Sequence, residues 1–170
     1  MILKRIFAKK PDPSRTLYEA IVAAARQEKF YLEHGVADTV NGRFDMISLH
    51  LFLVLDRLRN GGAAVEEFRQ RLTDGFFMDM DRSLREMGVG DLSVGKKVRK
   101  MAEVFYGRVK AYAEALAEDD KALRDALARN VYADANSPKA AGLAAWVQEA
   151  RNGLQALDEA AILRGEVLFP

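Results

Sequence analysis

No cysteine occurs in the chain. Disulfides, thiolate metal ligands and a cysteine nucleophile are therefore excluded, and the composition suits a reducing compartment. Histidine is nearly as scarce. The two that exist, His34 and His50, stand in neither a Glu-x-x-His nor a His-Glu-x-x-His pattern, so the signatures of bundle-type di-iron and zinc sites are missing. Of four prolines, Pro138 alone lies between Pro13 and the last residue, which leaves the interior free for long helices. Charge of one sign is lacking too: 26 basic residues face 25 acidic ones, so no global field draws the protein to nucleic acid or anionic lipid, and any such attraction is local. The most apolar stretch, near residues 44–58, is interrupted by Asp45, His50, Asp56 and Arg57, which argues against a membrane span. Nucleophile elbow, catalytic dyad, dinucleotide fingerprint, internal repeat and low-complexity tract are all absent.

What is present is helical periodicity. The chain is organised around residues 76–108, two helical patterns joined by one turn. In the first, Phe76, Met80, Leu84 and Met87 recur every three or four residues; in the second, Val94, Val98, Met101, Phe105, Val109, Tyr112 and Leu116 keep the same step. Gly88-Val89-Gly90 supplies the stop between them, and Asp91 or Ser93 is suited to cap the next helix. At 170 residues the chain fits one domain able to bury about 70% of its extended-chain surface. The fold class expected is all-α, a single-domain bundle of about six to seven helices over residues 14–165, with residues 1–13 as a tail. Within that tail Ile2, Leu3, Ile6 and Phe7 alternate with Lys4, Arg5, Lys9 and Lys10, the composition of a weak interfacial anchor as well as of a frayed terminus.

Ser14 is expected to open the first helix, with Leu17, Ile21, Ala24 and Ala25 on one face and Phe30 to Leu32 as its extension before Gly35. Asn41-Gly42 reads as a turn. Arg43 to Asn60 is apolar nearly all round and should be the central core helix. Gly61-Gly62 breaks the chain, Glu118-Asp119-Asp120 starts a short helix, and Ser137-Pro138 reads as a cap followed by proline at the first helical position. In the last helix Leu143, Val147, Ala150, Leu154, Leu157 and Ala161 form a short heptad-like stripe that more often packs on its own domain than on a second copy.

Five groups of residues invite a chemical reading. Gly90 to Lys97 nearly matches a phosphate-binding loop, yet Lys97 stands where Ser or Thr should hold magnesium, and the preceding segment is a charged helix instead of a strand, so no nucleotide partner is expected. Asp79 and Asp81 suggest a magnesium site, but residues two apart on a helix point about 200° apart. Ion pairs of Asp81 with Arg85 and of Arg82 with Glu86 are the plainer expectation. His50, among apolar neighbours, reads as a hydrogen-bonded core histidine before it reads as a haem ligand. Lys96, Lys97, Arg99 and Lys100 crowd the first turns of a helix, where the macrodipole disfavours cations by about 0.3 to 1 kcal/mol each. They form a basic partner patch facing something anionic, or are neutralised by the acids between Asp79 and Asp91. Finally, Phe105-Tyr106-Gly107-Arg108 sets Tyr106 beside the core stripe, with Gly107 free to admit another backbone, and Met46, Met78, Met80, Met87 and Met101 add adaptable apolar surface.

The run Phe77-Met78-Asp79-Met80-Asp81-Arg82-Ser83-Leu84-Arg85-Glu86-Met87-Gly88-Val89-Gly90-Asp91, then Phe105-Tyr106-Gly107-Arg108, resembles the signature of the ubiquinol-cytochrome c chaperone family. Asp38-Thr39-Val40-Asn41-Gly42-Arg43-Phe44 and Leu49-His50-Leu51-Phe52-Leu53 fit the same pattern, and the resemblance runs from about Leu17 to Leu116. It implies a non-enzymatic, cofactor-free, all-helical assembly factor that binds newly made cytochrome b for respiratory complex III. Mitochondrial members work with a small partner protein and near the ribosome exit. Carried over by motif, the client-binding residues expected are Asp79, Asp81, Arg82, Arg85, Glu86, Asp91, Tyr106 and Arg108. With no transit-like leader before the domain, the expected setting is a monomer in the bacterial cytoplasm, in peripheral contact with the cytoplasmic face of the inner membrane or with the ribosome. Two other readings of the residues stay open: a magnesium-dependent helical enzyme of isoprenoid or haem metabolism using the aspartates, and a helical dimerisation module.

Overall fold

The computed structural model describes residues 12–170; the interfacial-anchor reading of the first residues falls almost wholly outside that range. Six longer helices and two of five residues each follow in order: α1 Pro13–Ala25, α2 Glu28–Leu32, α3 Val40–Arg57, α4 Ala63–Glu86, α5 Asp91–Glu118, α6 Asp120–Val131, α7 Ala140–Ala156 and α8 Glu159–Leu163. Among the described residues there is no strand, so the all-α expectation holds.

The central helix is α3. Every residue from Phe44 to Leu55 is buried, and α1, α5, α6 and α7 pack around it. A helix without a polar face must be enclosed, because each large apolar side chain loses about 1.5–3 kcal/mol if left in water. The remaining helices close the bundle pairwise, α4 against both α1 and α5, and α6 against both α5 and α7. Leu143, Val147, Ala150 and Leu154 of α7 are buried in this same core, so the terminal stripe packs on its own domain as expected. Arg57 locks that end: its guanidinium donates to the carbonyls of Leu154, at 3.1 Å, and Leu157, at 2.9 Å, satisfying acceptors that a helix C-terminus leaves open.

Several boundaries differ from the expectations, each for a local reason. Asp12, not Ser14, caps α1: its backbone is extended, its carboxylate accepts from Ser14 N at 3.0 Å, and Pro13 starts the helix instead of blocking it. Phe30 to Leu32 belong to a separate turn, α2. Asn41 and Gly42 lie inside the first turn of α3, because Thr39 takes the extended cap conformation and accepts from Gly42 N. Glycine is required there by close approach, since a Cβ would stand 1.9 Å from the Ala37 carbonyl oxygen. Helix α5 is preceded by Gly90 with no side-chain cap, so Asp91 sits in the first turn and neither it nor Ser93 caps. Likewise Ser137-Pro138 forms a turn, and α7 begins only after Lys139. The stop at Gly88 is as expected: φ is 88°, and Val89 N donates to Leu84 O while Gly88 N donates to Arg85 O, the paired bonds of a Schellman ending.

Candidate functional site

The charged residues beside the α4–α5 turn, a crown of Asp79, Asp81, Arg82, Arg85, Glu86 and Asp91, resolve into three structural parts. Asp79 is largely covered: it accepts from the hydroxyl of Tyr18 in α1 at 2.9 Å and pairs with Arg82. Burial, then the Asp79 carboxylate, push the Tyr18 hydroxyl well above its ordinary pKa, so it stays a neutral donor that ties α1 to α4. The Arg82 partner is thus Asp79, three residues back, and not Glu86, because the Tyr18 contact fixes the Asp79 carboxylate within reach. Arg85 pairs with Asp81 at 2.6 Å, as expected, and also with Asp91 across the turn. Glu86 stays exposed and makes no ion pair among the described residues.

Arg108 is not at a surface. Its side chain is 15% exposed and pairs with buried Asp45 of α3; it also donates to the Asn130 carbonyl of α6 at 3.1 Å and lies over the Phe44 ring. One cation therefore joins three helices. Burial raises Asp45 to about 6 even though Arg108 pulls the other way. The two observations are compatible: the ion pair offsets part of the cost of burying a carboxylate and not all of it. His50 is fully buried, with Nδ1 2.7 Å from the Met46 carbonyl oxygen and Phe30, Trp146 and Phe169 rings around it. Burial drops its pKa to about 4, so it is a neutral core histidine donating from Nδ1.

Two concave surfaces flank α4. Along the α1–α4 seam runs a groove of about 900 Å³. Tyr18, Val22 and Ala23 line it from α1 and Gly75 and Met78 from α4, with Arg15, Arg26, Arg71 and Arg82 beside Asp12, Glu19, Asp74 and Asp79. Met78 is 73% exposed, an apolar side chain left in water. This groove was not legible in the sequence beyond the exposed methionine, because its second wall comes from a helix some sixty residues away. On the opposite side a smaller hollow of about 260 Å³ lies among α3, α4 and α5, floored by Phe52, Leu55, Phe105 and Val109. Tyr106, 55% exposed, stands at its rim with its ring 6.0 Å from Phe77. Gly107, expected to admit a backbone, faces open space.

The expected site residues thus separate. Asp79 and Arg82 meet at the groove, Asp81, Arg85, Glu86 and Asp91 cluster past its end, Tyr106 faces the other hollow, and Arg108 lies within the bundle. Lys96, Lys97, Arg99 and Lys100 are exposed on the first turns of α5. Of the carboxylates that were to neutralise them, Asp79, Asp81 and Asp91 are engaged by Arg82 and Arg85 instead and Glu86 pairs with none of the four; among the described residues only Lys100 finds an acid, Glu103, at 3.3 Å. No group of three or more His, Asp or Glu side chains among the described residues converges as a metal site would require, and the near-match to a phosphate loop follows helix α4 and not a strand. No helix among the described residues is long and apolar enough to cross a membrane.

Comparison with known proteins places these features in context. Residues 32–169 match the family described as Ubiquinol-cytochrome C chaperone. A Xenopus laevis protein named ubiquinol-cytochrome-c reductase complex assembly factor 1 is 27% identical over 158 residues, 90% of this chain and 78% of its own length. The Mus musculus protein of that name is 28% identical over 156 residues, 89% of this chain and 52% of its own, so the chain spans about half the length of that relative. A crystal structure of the Cbp3 homolog from Brucella abortus superposes with a TM-score of 0.84 at 43% identity, over 93% of this chain and 88% of that one.

Proposed function

This chain belongs to the ubiquinol-cytochrome c chaperone family, and on that premise we propose that it holds newly made cytochrome b during assembly of respiratory complex III, with an apolar segment of that client seated in the α1–α4 groove. By family it is a chaperone and not an enzyme. The observation that carries the groove reading is its composition: apolar lining from Val22, Ala23 and exposed Met78, edged by four arginines and by the acids Asp12, Glu19, Asp74 and Asp79. A membrane-protein segment awaiting insertion presents apolar side chains that such a lining covers, and a methionine adapts to more than one side-chain sequence. Asp79 and Arg82 position the segment at the groove, while Asp81, Arg85, Glu86 and Asp91 present polar contacts where it leaves. Tyr106 offers a second, smaller apolar contact, and Arg108 serves the site by bracing α3, α5 and α6. We place this work in the cytoplasm of a bacterium, by a monomer at the inner face of the inner membrane, with residues 14–165 as the chaperone unit; the likeness to the Brucella abortus structure supports the bacterial setting.

The test is a substitution that fills the groove without harming the fold. Gly75 lies in the groove wall, and a Cβ added there meets nothing within 4 Å. In Gly75→Leu the side chain should enter the space reserved for the client, while replacing a helix-interior glycine adds about 0.8 kcal/mol of stability. Purification with tagged cytochrome b from a strain lacking the native chaperone should show recovery falling at least about tenfold, the equivalent of 1.4 kcal/mol. Undiminished recovery would rule the groove out as the client site.

A further inference from the structure

We propose that the tip of the α4–α5 hairpin is a membrane-docking element that binds the surface of an anionic lipid bilayer. The hairpin outruns the core: the last buried residue of α4 is Met80, and in α5 burial before Phe105 is confined to Val94. At the tip stand Leu92, 102% exposed, and Met87, 52% exposed. Behind them follow Lys96, Lys97, Arg99 and Lys100, all exposed.

Two independent features point to the same ligand chemistry. The first is uncompensated charge. Asp91 is the sole acidic residue in the interval 88–102, and Arg85 already engages it. Lys96, Lys97 and Arg99 form no ion pair among the described residues; with α5 starting at Asp91 they lie past its first turn, so the expected penalty from the helix dipole does not reach them. The second is the apolar tip. Leu92, Lys96 and Arg99 follow at i, i+4 and i+7, which places them on one face of α5, whereas Val94, Val98, Met101 and Phe105 form the face turned to the core. An exposed leucine at the end of a helix, followed on the same face by long basic side chains, matches the interfacial region of a bilayer. The leucine enters the acyl boundary and the cations reach the phosphates, with their stems along the apolar layer. A nucleic acid would take the cations and leave Leu92 and Met87 in water, so the bilayer accounts for both features.

The experiment uses the full chain with vesicles and needs no client, so its result is separate from that of the groove test. Flotation with vesicles of phosphatidylcholine containing 30% phosphatidylglycerol, on the order of the anionic content that gives basic segments measurable affinity, should carry the protein upward at low salt. Pure phosphatidylcholine should not. The variant Lys96→Gln/Lys97→Gln/Arg99→Gln should lose about a hundredfold in partitioning, since each basic residue near such a surface contributes roughly one factor of five. Leu92→Ser should lose about tenfold. Both variants should keep the urea midpoint of the parent, because all four residues are exposed. Equal flotation on both vesicle types, or a triple variant that floats like the parent, would overturn the proposal. So would loss of flotation only when Lys4, Arg5, Lys9 and Lys10 are changed to Gln, which would assign the attachment to the N-terminal segment. Binding to a ribosomal RNA fragment without flotation would assign the basic cluster to nucleic acid and overturn it equally.

Discussion

Asp45 and His50 sit five residues apart on α3 and titrate in opposite senses, which gives a sharp test of how the core is built. Asp45 keeps its proton in the folded state up to about pH 6, against an ordinary 3.8. Between those values the folded protein holds a proton that the unfolded chain has lost. The associated stability is whole below pH 4 and gone above pH 6, declining by about 1.4 kcal/mol for each unit of rising pH. His50 runs the other way. Its pKa falls from 6.5 to about 4, so the unfolded chain takes up a proton that the folded protein refuses. Stability from this group is whole above pH 6.5 and drains as pH falls toward 4, at about the same slope with opposite sign. His34, also lowered by burial, adds in the direction of His50. Between pH 4.5 and 5.5, where slopes of opposite sign overlap, the parent should therefore show only a shallow change in unfolding free energy. In Asp45→Asn the cancelling member is gone, and stability should rise by about 1.4 kcal/mol or somewhat more over that one unit. Urea unfolding followed by the fluorescence of Trp146, the single tryptophan, whose ring lies 4.8 Å from His50, reads both lines. The slope is the readout, because Asp45→Asn also alters the contact with Arg108 and so changes the level of the curve as well as its pH dependence. Parallel lines for parent and variant would refute the assignment of a buried, partly protonated Asp45.

Arg108→Ala should destabilise the protein by about 3–5 kcal/mol in urea unfolding, the cost of leaving a buried carboxylate without its partner; a loss under about 1 kcal/mol would mean that the pair is not buried in solution. Arg85→Glu should cost no more than about 1 kcal/mol, since Asp81 and Asp91 are solvent-facing partners, yet lower the level of assembled complex III; unchanged cytochrome b levels would remove the crown from the client surface. Gly75→Leu should raise the melting temperature by about 2–3 °C in a chain of this length, and a fall would show that the groove wall is already filled.

The sequence announces its core more readily than its contacts. The all-round apolar character of residues 43–60 marks α3 as central, and Gly88 marks the end of α4, because both are properties of consecutive residues. The cap at Asp12 was also within reach, since Pro13 forces its predecessor into the extended conformation that a cap needs, and Ser14 competed for the role only by composition. Arg108 illustrates what periodicity half reveals. Three residues after Phe105, it falls near the core face of α5, but that its partner is Asp45, on another helix, depends on how α3 and α5 cross. The Tyr18–Asp79 bond and the groove beside it depend in the same way on the packing of α1 against α4. Motif resemblance selected Asp79 and Arg82 without indicating that an opposing helix completes their surroundings.

The groove and the hairpin tip share α4, and that continuity constrains how the chaperone would work. Arg82 marks the groove's end toward the turn, and Met87 lies five residues farther on, about 7.5 Å along the axis. A protein resting on a bilayer through Met87 and Leu92 would hold the end of its groove within two helical turns of the lipid headgroups, so an apolar client segment could pass from groove to membrane with little exposure to water. This arrangement makes capture and docking separable but ordered. Gly75→Leu should lose the client and still float with anionic vesicles, whereas the Lys96→Gln/Lys97→Gln/Arg99→Gln variant should keep the client in detergent extract and fail to deliver it to assembled complex III. If the triple variant assembled complex III at the parent's level, the bilayer contact would have no part in delivery, whatever its affinity for vesicles.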